Sequence, residues 1–180
     1  MSRFNIPADI NAAPEESREM LEAVNKQLGK VPNLYRLVAL SPVALKGYVN
    51  LSGALAKGKL HAKTREGISL ALAEINGCSY CLSAHSYISK NLMKVDDAEI
   101  AANRKGSSND EKTKAAIEFA VKVAEKKGKV SAQDLQNIHE HGYSDAEIIE
   151  IVQNVALNIW TNYMNNVAET EVDFPKVTPQ

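Results

Sequence analysis

Four side chains are of the types, and at the spacings, that do chemistry: Cys78, Cys81, His85 and Glu66. The chain has only two cysteines. They stand three residues apart in the run Asn76-Gly77-Cys78-Ser79-Tyr80-Cys81-Leu82-Ser83-Ala84-His85. Two cysteines placed at random in a chain of this length would be three apart about one time in ninety. On a helix, positions 78, 81 and 85 are related as i, i+3 and i+7 and share one face. Asn76-Gly77 is a helix stop, so Cys78 opens the next helix, where unpaired N–H groups and the positive dipole end lower a thiol's pKa. His85 lies one turn beyond Cys81, close enough to take its proton. A thiolate, a second thiol and a base are what thiol–disulfide or peroxide chemistry requires.

The partner of the histidine is expected on the preceding helix. Glu66, Leu70, Ala73 and Gly77 fall on one face at i, i+4, i+7 and i+11, and the small residues at 73 and 77 let the cysteine helix approach closely. Glu66 can then hydrogen-bond His85 or a bound water, orienting the base and holding its proton. A carboxylate among Ile68, Leu70 and Leu72 is costly to bury without such a partner. Other readings stay open. Glu66 can be a solvated helix residue, with Glu74 as a rival carboxylate. Cys78, Cys81 and His85 with Glu66 or Glu74 would make four zinc ligands. The cysteines can also be inert buried thiols.

These residues must be held by a framework, and the rest of the sequence reads as capped helices. The 180 residues are 44% hydrophobic and 24% charged, enough for one domain, 1–180, with a core over about 40–126 that needs neither disulfide nor metal to fold. Pro14 and Gly29 bracket one helix, and a short one is expected over 33–39. Ser41-Pro42 opens another that reaches about Lys57, and a fourth covers about 63–75. The cysteine helix runs to about Leu92. Asp96-x-x-Glu99, Ser108-x-x-Glu111, Ser131-x-x-Asp134 and Ser144-x-x-Glu147 are capping-box patterns for the remaining helices. Ala116, Phe119, Ala120 and Val123 form one buried face, and Ile148, Val152, Val155 and Ile159 another. No alternating strand pattern occurs. The fold class is therefore all-α, a single domain of about seven to nine helices.

Charge and hydropathy narrow the function. Twenty-one basic against 22 acidic residues leave a net charge of −1, which argues against a nucleic-acid or anionic-membrane partner. No run of 18 apolar residues is present, so no membrane-spanning helix is expected. Residues 1–10 lack the apolar stretch of a secretory signal, so a cytoplasmic location is expected. His61 reads as a cap. His139 and His141 sit at a helix end, and Trp160 reads as packing. Asn154, Asn158, Asn162 and Asn166 make an i+4 amide stripe, expected to set register at a subunit interface. The tail after Thr170 should be extended, packing through Phe174. Tyr80 and Tyr87 border the cysteines.

Glu66 followed by Cys78-Ser79-Tyr80-Cys81-x-x-x-His85 resembles the signature of the alkyl hydroperoxidase D-like family, within the carboxymuconolactone decarboxylase superfamily. The segment Asn158-x-x-Thr161-Asn162-Tyr163 through Thr170-Glu171-Val172-Asp173-Phe174-Pro175 resembles its peroxidase-related branch. The resemblance covers roughly residues 15–177. It implies an all-helical fold, homo-oligomers (trimers or hexamers) and a redox-active cysteine pair with no bound cofactor. By position, Cys81 would be the peroxidatic cysteine, Cys78 the resolving one, and Glu66 with His85 the proton relay. A hydroperoxide would be the substrate and a dithiol, such as a lipoyl group, the reductant. Where the best-known family pattern has histidine before the second cysteine, this chain has Tyr80. Tyrosine donates a hydrogen bond but is a poor base near neutrality, its pKa being about 10. A lactone decarboxylase is a second enzyme reading, but that arm of the superfamily generally lacks the cysteine pair. A redox-sensing or zinc-binding oligomer is the non-enzymatic one.

Overall fold

The computed structural model describes residues 2–180. Among them, nine α-helices follow in chain order: α1 Glu15–Leu28, α2 Asn33–Val38, α3 Pro42–Ala56, α4 Ala62–Ile75, α5 Ser79–Tyr87, α6 Asp97–Arg104, α7 Glu111–Glu125, α8 Ala132–Glu140 and α9 Asp145–Ala168. A π-helical turn, Ile88–Leu92, prolongs α5 to the end expected for the cysteine helix. The described residues contain no strand and no helix long and apolar enough to cross a membrane.

Local chemistry explains most boundaries. Ser41 accepts from Ala44 N and starts α3 with proline at its first turn. Ser131 with Asp134 and Ser144 with Glu147 form reciprocal capping boxes for α8 and α9. His61 caps α4 by accepting from Lys63 N. The start of α7 differs from expectation: Asp110, not Ser108, caps it, accepting from Thr113 N at 2.8 Å. Ser108 instead donates to Glu99 Oε1 at 2.6 Å. A carboxylate adjoining the first turn satisfies the free N–H groups better than a hydroxyl two residues earlier. Glu99 consequently does not close a box with Asp96, although Asp96 caps α6 alone. Its carboxylate ties the α6–α7 loop together, accepting from Ser108, Asn103 and Asn109 N.

Helix α4 is the hub. Residues Gly67 to Ala73 are all buried, so this stretch is enclosed on every side. Ile68, Ala71 and Leu72 enter a core with α7, α8 and α9, while Leu70 and Ala73 enter a second core containing Cys78, Tyr80, Cys81 and Leu82. On α7 the expected face of Ala116, Phe119, Ala120 and Val123 is buried. On α9 the stripe is shifted: Ile151 is fully buried and Val152 is 43% exposed, so the core face is Ile148, Ile151 and Val155 with Ile159 partly buried.

Gly67 marks the tightest approach to α4. A Cβ there would lie 2.6 Å from Ile117 Cδ1 and 3.0 Å from Asn103 Oδ1. Ile117 is itself fully buried, so its Cδ1 can give way only by repacking the core around it. Gly67→Ala gains helix propensity but overpacks this contact, and the expected net result is destabilisation by about 1–2 kcal/mol. Urea denaturation measures it.

The tail, residues 169–180, has no helix but is strapped down. Asn33 Nδ2 donates to Glu171 O at 2.9 Å, and Asp173 Oδ2 accepts from Asn33 N at 3.1 Å, capping α2 from 140 residues away. Val177 N donates to Ser83 Oγ at 2.9 Å. As the sequence suggests, Phe174 packs inward, edge-on to Tyr80 with ring centroids 5.8 Å apart.

Candidate active site

The α4–α5 junction sets the geometry. Gly77 adopts φ +62°, the left-handed conformation that glycine takes without steric cost. Cys78 N reaches back to Ala73 O at 2.9 Å, closing the end of α4. The chain reverses and α5 packs back along α4, with Cys78 as its N-cap: the Cys78 sulfur accepts from Cys81 N at 3.2 Å. Cys78 and Cys81 are joined as a disulfide, with Cα atoms 5.3 Å apart, an ordinary separation for such a bond.

The reversal also brings the base to its carboxylate. His85 Nδ1 lies 2.9 Å from Glu66 Oε2. An ionised carboxylate only accepts, so Nδ1 carries the hydrogen and Nε2 is the basic nitrogen of the neutral ring. Burial pulls the His85 pKa down, but the charge of Glu66 and its hydrogen bond pull harder the other way, and the net effect is a rise above the ordinary value. The side chain of Glu66 is 15% exposed, so it is a sheltered partner rather than a solvated helix residue. Glu74, the rival carboxylate, is held by Arg104 Nε at 2.7 Å. With the sulfurs bonded to each other and Glu74 engaged elsewhere, the four-ligand zinc set is not assembled, and no cluster of three or more candidate ligands occurs among the described residues.

The two sulfurs differ in access. Cys78 is fully buried, whereas Cys81 opens onto a cavity of about 190 Å³. Its walls are largely aromatic and aliphatic: Leu34, Tyr35, Tyr48, Tyr80, Tyr87 and Phe174 join Cys81 and His85. Lys30 stands 3.9 Å over the Phe174 ring. A second cavity, also about 190 Å³, lies beyond the His85–Glu66 pair and is of mixed character, with Arg65, Glu66, Ser69, Asn154 and Asn158 facing Leu55, Ala56 and Leu157. His85, Tyr48 and Thr161 line both spaces. Tyr80 borders the site as expected, but its hydroxyl accepts from Leu34 N at 3.1 Å. Burial holds its pKa far above the ordinary value, so it cannot replace a relay histidine.

Three of the four amides of the α9 stripe are already buried within this chain, while Asn166 stays exposed. Asn154, Asn158 and Asn162 are each at most 5% exposed within this chain. Asn162 accepts from Asn76 Nδ2 at 2.9 Å and Asn166 donates to Asn76 O at 2.8 Å, pinning the end of α4. The i+4 reading missed Asn165, whose Nδ2 lies 3.4 Å from the Cys81 sulfur. The signal that finds it is the other helical period: 154, 158, 161 and 165 follow i, i+4, i+7 and i+11. His139 and His141 spend their Nδ1 atoms on nearby carbonyls, of Tyr143 and Asn137.

The carboxymuconolactone decarboxylase family model matches residues 42–126. No curated protein matches the chain. Among solved structures, an uncharacterized peroxidase-related protein of Ralstonia eutropha JMP134 with an alkylhydroperoxidase AhpD core superposes with a TM-score of 0.85 at 25% identity, over 96% of this chain and 92% of that one. A peroxidase-related protein of Silicibacter sp. TM1040 gives 0.82 at 23% identity, over 94% and 91%. The debrominase Bmp8 shares the fold, with a TM-score of 0.77 at 20% identity over 95% and 93%. The paired cysteines and this kinship support a thiol-based redox mechanism. Residues 42–126 are thus similar to the carboxymuconolactone decarboxylase family, and nearly the whole chain shares the fold of peroxidase-related proteins with an alkylhydroperoxidase AhpD core.

Proposed function

We propose that this protein is a thiol-dependent peroxidase that reduces organic hydroperoxides. The observation that carries the reading is a single sulfur, Cys81, opening onto an apolar cavity shared with a histidine that a carboxylate holds at 2.9 Å. In the reduced protein, His85 takes the Cys81 proton and passes charge to its contact with Glu66. The thiolate attacks the hydroperoxide, forming an S–O bond and breaking the O–O bond, and the leaving alkoxide collects the proton from His85. The Cys78 thiol then attacks the sulfenic acid. The disulfide forms, and the hydroxyl leaves with the Cys78 proton as water. An external dithiol of the lipoyl type returns both electrons and both protons.

The aromatic walls favour an alkyl or aryl hydroperoxide over hydrogen peroxide, because burying apolar surface adds binding that a small polar oxidant cannot gain. Two further assignments belong to this reading. The first is a homo-oligomer, trimer or hexamer, formed over the apolar side chains that α3 and α9 leave exposed, Val43, Ile149, Trp160 and Val167 among them. The second is a cytoplasmic location. The test is hydroperoxide consumption by the reduced protein with dihydrolipoamide or thioredoxin as electron donor, comparing cumene hydroperoxide with hydrogen peroxide. Turnover with preference for the organic substrate is the expected result. No consumption of either removes the peroxidase reading.

A further inference from the structure

The α9 amide beside the disulfide has no role in the relay, yet its bonding is unusual. Asn165 is 3% exposed. Its Nδ2 has two hydrogens; the partners are Thr161 O at 3.0 Å and the Cys81 sulfur at 3.4 Å. A main-chain carbonyl only accepts, so the bond to Thr161 fixes which end of the amide is nitrogen. The other end, Oδ1, is buried and receives no hydrogen bond. A buried acceptor left empty is costly, and an aliphatic residue would serve helix packing without that cost. The amide therefore offers a spent donor at the sulfur and an idle acceptor on the same group.

We propose that Asn165 is a catalytic residue acting on the Cys81 sulfur through both ends of its amide. The inference rests on the thiol-peroxidase reading. In the reduced state the N–H donates to the thiolate, and a hydrogen bond to the charged form of a group favours that form. The thiolate is thus populated before hydroperoxide arrives. When the S–O bond forms and the O–O bond breaks, the alkoxide leaves with the proton from His85, and Cys81 becomes S–O–H. That hydroxyl is a new donor where none existed, and Oδ1 is the acceptor for it. The idle oxygen of the disulfide state is accounted for by the sulfenic state. The amide holds the S–O–H until the Cys78 thiol displaces the hydroxyl, which leaves as water with the Cys78 proton.

The test uses the reduced 180-residue protein with Cys78→Ser, so that Cys81 is the one thiol present. The thiolate midpoint is read from the pH dependence of iodoacetamide alkylation, and the sulfenic acid by its trapping with dimedone after one equivalent of cumene hydroperoxide. Asn165→Asp keeps the shape and an acceptor but removes the donor; Asn165→Leu removes both. The expected result is a higher alkylation midpoint in both variants, with alkylation at neutral pH slowed about tenfold. Faster loss of the sulfenic acid is expected in the Leu variant. If Asn165→Leu does not fold, the Asp variant alone decides. An unmoved midpoint in a folded Asp variant overturns the proposal and leaves Asn165 as packing. The alkylation reading is independent of turnover. Absence of peroxidase activity in the unsubstituted protein therefore sinks the functional reading without being mistaken for failure at Asn165.

Discussion

Cys81→Ser abolishes hydroperoxide turnover, by at least about 10³-fold, whereas Cys78→Ser preserves a single stoichiometric event. The asymmetry follows from access. Cys78 is completely enclosed and caps α5, while Cys81 opens onto the apolar cavity. A serine hydroxyl at 81 has too high a pKa to supply the nucleophile, so no S–O bond forms. A serine at 78 leaves the attack intact but removes the thiol that resolves the sulfenic acid. Stopped-flow consumption and mass spectrometry of dimedone adducts separate the two: no adduct for the first variant, one per chain for the second. The reverse pattern would assign the attack to Cys78, as its position at a helix N-terminus suggests.

Glu66→Gln is expected to reduce turnover by about 10²- to 10⁴-fold and to change how stability responds to pH. The substitution keeps the shape but removes the charge that raises the His85 pKa against burial. In the unsubstituted protein that pKa is higher folded than unfolded, so the protonated histidine stabilises the fold. This stabilisation is complete below the unfolded value, about 6.5, and is lost as pH rises through the raised folded value. With glutamine, burial is the larger influence and the His85 pKa drops, so this decline disappears from the stability profile. Urea melts between pH 5 and 8, together with an NMR titration of the His85 ring, measure both effects. An unchanged His85 pKa in Glu66→Gln would remove the carboxylate from the relay.

The parts of the site legible in the sequence are those set by local geometry. Asn76-Gly77 forces a left-handed turn, and once α4 and α5 fold back on each other, the helical periods starting at 66 and 78 determine that Glu66 meets His85. The parts that were not legible depend on contacts between distant segments. Tyr80 gives its hydroxyl to the start of α2, 46 residues away, so its type says nothing of its role. Asn165 contacts a sulfur 84 residues away and sits just off the amide stripe that drew notice. Asp110 displaced Ser108 as a cap because its carboxylate adjoins the first turn, while the serine hydroxyl donates to Glu99. The long α9 stripe shifted by one residue, to Ile151, because the position facing α4 and α7 is settled by packing rather than by the sequence's own period.

The enclosure of Cys78 also governs the order of events in the proposed cycle. With one sulfur sealed off, oxidant and reductant must both reach Cys81 through the aromatic mouth partly closed by Phe174. They cannot be present together, so the two halves of the cycle alternate. Whichever molecule crowds the mouth delays the other, and the enzyme's pace is set by the ratio of the two as much as by the amount of either.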